Sequence, residues 1–329
     1  MRVFTSLAVM AAIAAAGAMG AATTDTSAAE FPVRPLRILT PFSAGSVTDI
    51  IARPLAARLT EAWGQPVVVD NRAGAGGSLA AEIVAKATPD GHTLLIGATG
   101  PNTVNPSLIK NIAYDSQRAF APISLTAVNN LLLTAPLSLP VKSVRELIDL
   151  GRAKPGQLRF ASSGTGSSPH LAGELFKAMA GIDMVHVPYK GSPQYLVDLL
   201  AGRIDLVIGA AGGVLPHIKS GRVRLLGISA SQRDPLMPDI PTISEAGVPG
   251  FEVIGWYGLL TTAGTPASVV KKLHSEVLRI LAMPEVKSIY LNAGLEATAS
   301  NSPGEFAAYI VSEREKWAKV IKAAGIRIE

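Results

Sequence analysis

Two loops of small residues are where this 329-residue chain brings hydroxyls and free backbone together. The first, Pro41-Phe42-Ser43-Ala44-Gly45-Ser46-Val47-Thr48-Asp49, follows an apolar strand and opens a helix. Small residues let the backbone approach a ligand, and the unpaired N–H groups and dipole of a helix start stabilise an anion without any arginine. Phe42, Ser43, Ala44, Gly45 and Ser46 are therefore candidate ligand contacts. Asp49 is carried with them, although a helix cap or loop brace suits it better. The plainer alternative is a connector in which Thr48 or Asp49 is simply the N-cap.

The second loop, Ser162-Ser163-Gly164-Thr165-Gly166-Ser167-Ser168-Pro169-His170, also runs from strand end to helix start. It adds Ser163, Gly164, Thr165, Ser167 and His170 to the candidates, with packing or capping the commoner role for a lone histidine just inside a helix. One such loop is weak evidence. Two, from the two halves of the chain and facing a shared cleft, would clamp a carboxylate. Thr99, after the third strand, completes the candidates on this side of the argument.

A third stretch, Asn71-Arg72-Ala73-Gly74-Ala75-Gly76-Gly77-Ser78, invites a dinucleotide reading and fails it, because Leu79 stands where the third glycine is needed. There is no P-loop, no Gly-x-Ser-x-Gly elbow and no His-Glu-x-x-His, and the five histidines are scattered without metal spacing. The expectation is no cofactor, no metal and no catalytic constellation.

The elements that would position these loops alternate. Strands at Leu36–Thr40, Pro66–Asp70 and Thr93–Gly97 are separated by helices over about 48–63 and 78–87, and the same grammar restarts after residue 130. There, strands at Arg159–Ala161, Val185–Val187 and Ile204–Ile208 are separated by a helix from Ser168-Pro169, with Leu171, Leu175 and Met179 on one face, and another over Pro193–Ala201. Such alternation means parallel βαβ units with helices covering the sheet. Thr242-Ile243-Ser244-Glu245 reads as a capping box with a short helix after it, and further helices start at Thr265-Pro266, Pro284 and Ser302-Pro303. Two halves with a returning C-terminus imply two crossing strands, placed at Asn130–Pro136 and Val253–Thr261. The expected lobes are 30–130 with 254–329, and 131–253.

Arg2 followed by an uncharged apolar run to Met19, then small-residue cleavage options, reads as a signal peptide over residues 1–29. No later stretch approaches the ~20 apolar residues of a membrane span. Export of a chain with no cysteine suits a bacterial periplasm. Without residues 1–30 the chain carries 29 basic and 23 acidic residues, a mild surplus favouring an anionic ligand. The basic residues are dispersed, which argues against nucleic acid.

With those loops in hand, the chain resembles the periplasmic receptors of tripartite tricarboxylate transporters, the Bug receptors. The matching stretches include Pro41-Phe42 with Ala44-Gly45, Thr48 to Arg53, Gly64 to Val69, Asn71-Arg72 with Gly74 to Gly77, Pro89-Asp90-Gly91, Ala161 to Gly164, Val185 to Gly191 and Ala263 to Pro266. The resemblance spans about Phe31 to Glu329. It implies an α/β type II periplasmic-binding-protein fold, two lobes with a central Venus-flytrap cleft. It further implies a small organic carboxylate held by backbone N–H groups, hydroxyls and waters, and delivery to two membrane subunits; a monomer is expected. Three positions depart from the family pattern. Ser46-Val47 replace Gly-Gly and should narrow the pocket. Gly209-Ala210, candidates in their own right, replace a common Asp-Asn after the Ile204–Ile208 strand and should enlarge it. Pro54 should kink or delay the first helix. The rival readings are a periplasmic hydrolase acting on a carboxylic acid derivative in the same cleft, and a transcriptional sensor, which would need a helix-turn-helix domain where the signal peptide stands.

Export with cleavage between about Gly20 and Ala29 is the first prediction. Intact-mass measurement of periplasmic protein checks it, and a chain still beginning at Met1 would contradict it.

Overall fold

The computed structural model describes residues 31–108, 112–234 and 237–324, so the signal segment and its cleavage site lie outside the described residues. The first half opens with β1 (Leu36–Thr40), α1 (Val47–Trp63), β2 (Val67–Asn71), a 3₁₀ turn (Ala75–Gly77), α2 (Ser78–Ala85) and β3 (Thr93–Ala98). β1 lies between β2 and β3, parallel to both. Helix α1 buries Ile51, Leu55 and Leu59, spaced by four, against this sheet, and Gly64 ends it in the left-handed region at φ 67°. The helix begins at Val47, not late, and Pro54 is accommodated inside it on the partly exposed side. A π-type turn (Gly100–Val104) and the short α3 (Asn105–Leu108) follow β3.

Strand β4 (Phe120–Pro136) then runs for 17 residues and leads to α4 (Val144–Ala153), β5 (Leu158–Ser162), α5 (Ser168–Ala180), β6 (Met184–Pro188), α6 (Ser192–Leu200), β7 (Leu206–Ala210), α7 (Ala211–Lys219) and β8 (Val223–Ile228). The chain returns through β9 (Ile254–Thr262), α8 (Ala267–Leu281), α9 (Pro284–Asn292), β10 (Glu296–Ala297) and α10 (Pro303–Ala324). In α5 the buried face holds Leu171, Ala172, Leu175 and Phe176, while Met179 is exposed. Both hydrogen bonds of the Thr242–Glu245 capping box form, yet only a turn follows, ending at Gly247 with φ 131°. Helices α4 and α7 and strand β8 were not foreseen; Pro216 inside α7 hides that helix from its sequence pattern.

The pairing of β4 organises the whole. Its residues Phe120–Asn130 pair with β9, and Leu131–Pro136 pair with β7 and β8. One sheet is therefore ordered β2-β1-β3-β9-β4 and the other β6-β5-β7-β4-β8. In the first, the antiparallel strand is β9, arriving from the second half; in the second it is β4, arriving from the first. Helix α10 adds a strap, since Phe306 and Ile310 join the core beside β3 and β9 while Trp317 and Ile321 join the core around β5 and α5.

Where the chain crosses, Ser229 bonds to both strands. Its N–H donates to the Leu131 carbonyl and its hydroxyl accepts from the Leu131 N–H at 2.8 Å. Its carbonyl accepts from Val253 N–H, and its hydroxyl donates to the Val253 carbonyl. Ser229 is wholly buried, so its removal strands two main-chain groups away from water. Ser229→Ala should lower unfolding stability by about 1–3 kcal/mol, a fall in Tm of several degrees; urea and thermal melts check this.

Candidate functional site

The central cavity lies where the carboxyl ends of the parallel strands and several helix N-termini converge. Phe42, Ser46, Val47, Ala98, Gly100 and Tyr257 line it from the first sheet and its connections, and Ser163, Ser167, Ser168, Pro169, Ser192, Tyr195 and Ala210 from the second. Leu131 forms the floor at the point where β4 crosses. Its mouth included, the cavity encloses about 450 Å³ of atom-free space, of which about 30 Å³ admits the centre of a water molecule. That scale suits a small acid.

Two helix starts face this space from opposite sheets. Ser46 is the N-cap of α1 and Ser167 the N-cap of α5, and neither hydroxyl caps its own helix. Elsewhere in the molecule serine does cap, since Ser143 and Ser302 each accept from the N–H three residues on. Ser46 Oγ lies 3.1 Å from Thr48 Oγ1, and Ser167 Oγ is buried with no partner. In α1 the N–H of Ile50 reaches Ser46, leaving those of Val47, Thr48 and Asp49 without an acceptor; in α5 Leu171 reaches Ser167, leaving those of Ser168 and His170. Among the described residues no charged side chain lines the cavity, so what favours an anion there is the dipoles of these helix starts.

Asp49 is a brace. Its Oδ2 accepts from Gly45 N–H at 2.9 Å and Arg53 Nε at 2.7 Å, and its Oδ1 accepts from Asn71 Nδ2 and Arg53 Nη2 at 3.0 Å each. Burial by itself would raise its pKa, but hydrogen bonds from Arg53, Gly45 and Asn71 outweigh that and hold the carboxyl below its ordinary 3.8. His170 braces the second loop: its Nδ1 accepts from Gly166 N–H at 3.0 Å, which leaves the proton on Nε2. Burial, then His186 and Lys177, push its pKa down to about 3, so it is neutral. Beside it His186 Nε2 lies 2.6 Å from Ser162 Oγ, which itself accepts from Gly164 N–H.

Of the sequence candidates, Phe42, Ser46, Ser163, Ser167 and Ala210 line the cavity. Ala44 and Gly45 are exposed at the rim, and Ser43 sits on the seam between halves, its N–H donating to the Lys190 carbonyl. Gly164 and Thr165 face an outer groove with Gly74–Gly76 and Tyr189. Thr99 stands behind the wall, its Oγ1 accepting from Trp256 N–H at 3.2 Å. Gly209 and Ala210 belong to β7 itself, two residues later than expected, and only Ala210 reaches the cavity. The glycine-rich 71–78 stretch is part of the seam: a Cβ on Gly76, at φ 60°, would overlap the Thr165 carbonyl of the other half. Ser192 was missed although Ser192-Pro193 repeats the Ser168-Pro169 signal; Leu131, Tyr195 and Tyr257 carry no local signal.

Residues 51–326 match the tripartite tricarboxylate transporter family receptors. The chain belongs to this family. Solved structures agree with that membership and with the type II periplasmic-binding-protein fold of two lobes about a cleft. An R. palustris protein solved with adipate is 38% identical, with a TM-score of 0.86 over 90% of this chain and 99% of that one. The periplasmic binding protein BugD is 33% identical, with a TM-score of 0.85 over 91% and 100%. MatC of Rhodopseudomonas palustris, solved with malate, is 34% identical, with a TM-score of 0.85 over 88% and 100%. Among the described residues no helix is long and apolar enough to cross a membrane.

Asp49→Asn should cost about 1–3 kcal/mol at neutral pH, because a charged acceptor of four hydrogen bonds is lost. A depressed folded-state pKa gives stability that is full above the unfolded value and lost as pH falls through the folded one. The gap between wild type and variant should therefore hold above about pH 5 and shrink below about pH 4; urea midpoints across that range check it.

Proposed function

We propose that the exported chain is a periplasmic receptor that holds one small organic carboxylate between lobes 30–130 with 254–329 and 131–253, and delivers it to two membrane subunits of a tripartite transporter. The observation that carries this reading is the pair of opposed serine N-caps, Ser46 and Ser167, whose hydroxyls leave their own helix starts open to one shared cavity. Open first-turn N–H groups are suited to a carboxylate and stabilise it without a counter-charge. Adipate and malate in the related structures support an acid as ligand.

Binding without turnover is the expected behaviour. Among the described residues the cavity is lined by five serines but by no histidine, lysine or carboxylate that could take a proton from one of them. Ser162, which does contact a histidine, is wholly buried and does not line the cavity.

Calorimetry of the exported form against adipate, malate and a panel of monocarboxylates tests the proposal. One acid per chain should bind, and Ser167→Ala should weaken it about tenfold by removing a hydroxyl donor to a charged group. Failure of every carboxylate to bind would overturn the reading.

A further inference from the structure

Gly209 and Tyr195 fit one another. A Cβ built on Gly209 would lie 2.7 Å from the Tyr195 hydroxyl oxygen, too close for both to stay. The glycine therefore does not enlarge the cavity. It makes room on β7 for a phenol carried on α6, and any side chain there would push that phenol aside. A second phenol, Tyr257 on β9, lines the same cavity from the other half. Both residues are buried, at 2% and 6% exposure. Neither hydroxyl has a hydrogen-bond partner among the described residues, and neither oxygen is sealed away from open space. Burial raises both pKa values, so both phenols stay protonated and can donate.

Two buried donors without acceptors are costly unless something in the cavity accepts from them. The serine N-caps already offer donors for one carboxylate. The Tyr195 hydroxyl lies against Gly209 and the Tyr257 hydroxyl near Gly255, and Leu131 and Ala210, which line the cavity with them, make no hydrogen bond through their side chains. We propose that Tyr195 and Tyr257 are the specificity-determining residues, donating to a second oxygen function on the bound acid, and that Gly209 is required to place the Tyr195 hydroxyl. The class selected is a carboxylic acid with a hydroxyl or second carboxylate at its far end, over an acid ending in plain alkyl. This rests on the receptor reading and names what that same site prefers.

Matched acids test it by calorimetry: butyrate, 4-hydroxybutyrate and succinate, with hexanoate, 6-hydroxyhexanoate and adipate as the longer set. Wild type should bind an oxygen-ended acid at least tenfold tighter than the alkyl acid of equal length. The hydroxyl and carboxylate arms tell a neutral acceptor from an anionic one. Tyr195→Phe and Tyr257→Phe, which keep the ring, should each erase about tenfold of that ratio. Gly209→Ala should reproduce the Tyr195→Phe result by displacing the hydroxyl. An unchanged ratio in both phenylalanine variants, or a wild type that prefers the alkyl acid, overturns the assignment while leaving the receptor reading intact. No binding by any of the six would bring down both.

Discussion

Each sheet of this protein is completed by a strand that belongs in sequence to the other half. Without β9 the first sheet loses the strand between β3 and β4, and without the second part of β4 the other loses the strand joining β7 to β8. Main-chain groups in a buried strand need partners, so neither half is complete alone. Ser229, bonded to both crossings through its backbone and its hydroxyl, sits at the point this arrangement turns on. A serine fits there because one small hydroxyl can accept from one strand and donate to the other at once.

The same crossing sets the cavity. Leu131 and Tyr257 come from the crossing strands themselves, so the cavity is built in part from the strands that join the two sheets. The seam is built from backbone against backbone, with Gly76 beside the Thr165 carbonyl and Ser43 N–H on the Lys190 carbonyl.

The electrostatics follow one design. Charges near the site are cancelled or removed: Asp49 is matched by Arg53, and His170 and His186 are held neutral by burial, at about 3 and 4. The cavity then faces the ligand with helix starts and hydroxyls alone. An anion held by several neutral donors gains from each in proportion to geometry. The braces matter because they keep those donors aimed.

What could be read from the sequence was local. β1 appeared with its observed bounds, α1 and α5 to within a residue at their starts, and the two small-residue loops were recognised because a strand end, a serine cap and a helix start are adjacent in the chain. The family resemblance was legible for the same reason, since its motifs are runs of neighbouring residues. What the sequence could not show was which donors were already taken. Gly45 and Thr99 looked like contacts and Asp49 better suited a brace, and only the fold shows that Asp49 accepts from Gly45 and Arg53 and that Thr99 is turned to Trp256. Tyr195 and Tyr257 lie 62 positions apart and meet one cavity only because α6 and β9 belong to opposite halves brought together at the crossing. Backbone propensity and capping act over a few residues, so sequence determined most of the elements and the two small-residue loops, α4, α7 and β8 excepted. Burial and hydrogen-bond occupancy depend on partners distant in the chain, and those the tertiary structure alone decided.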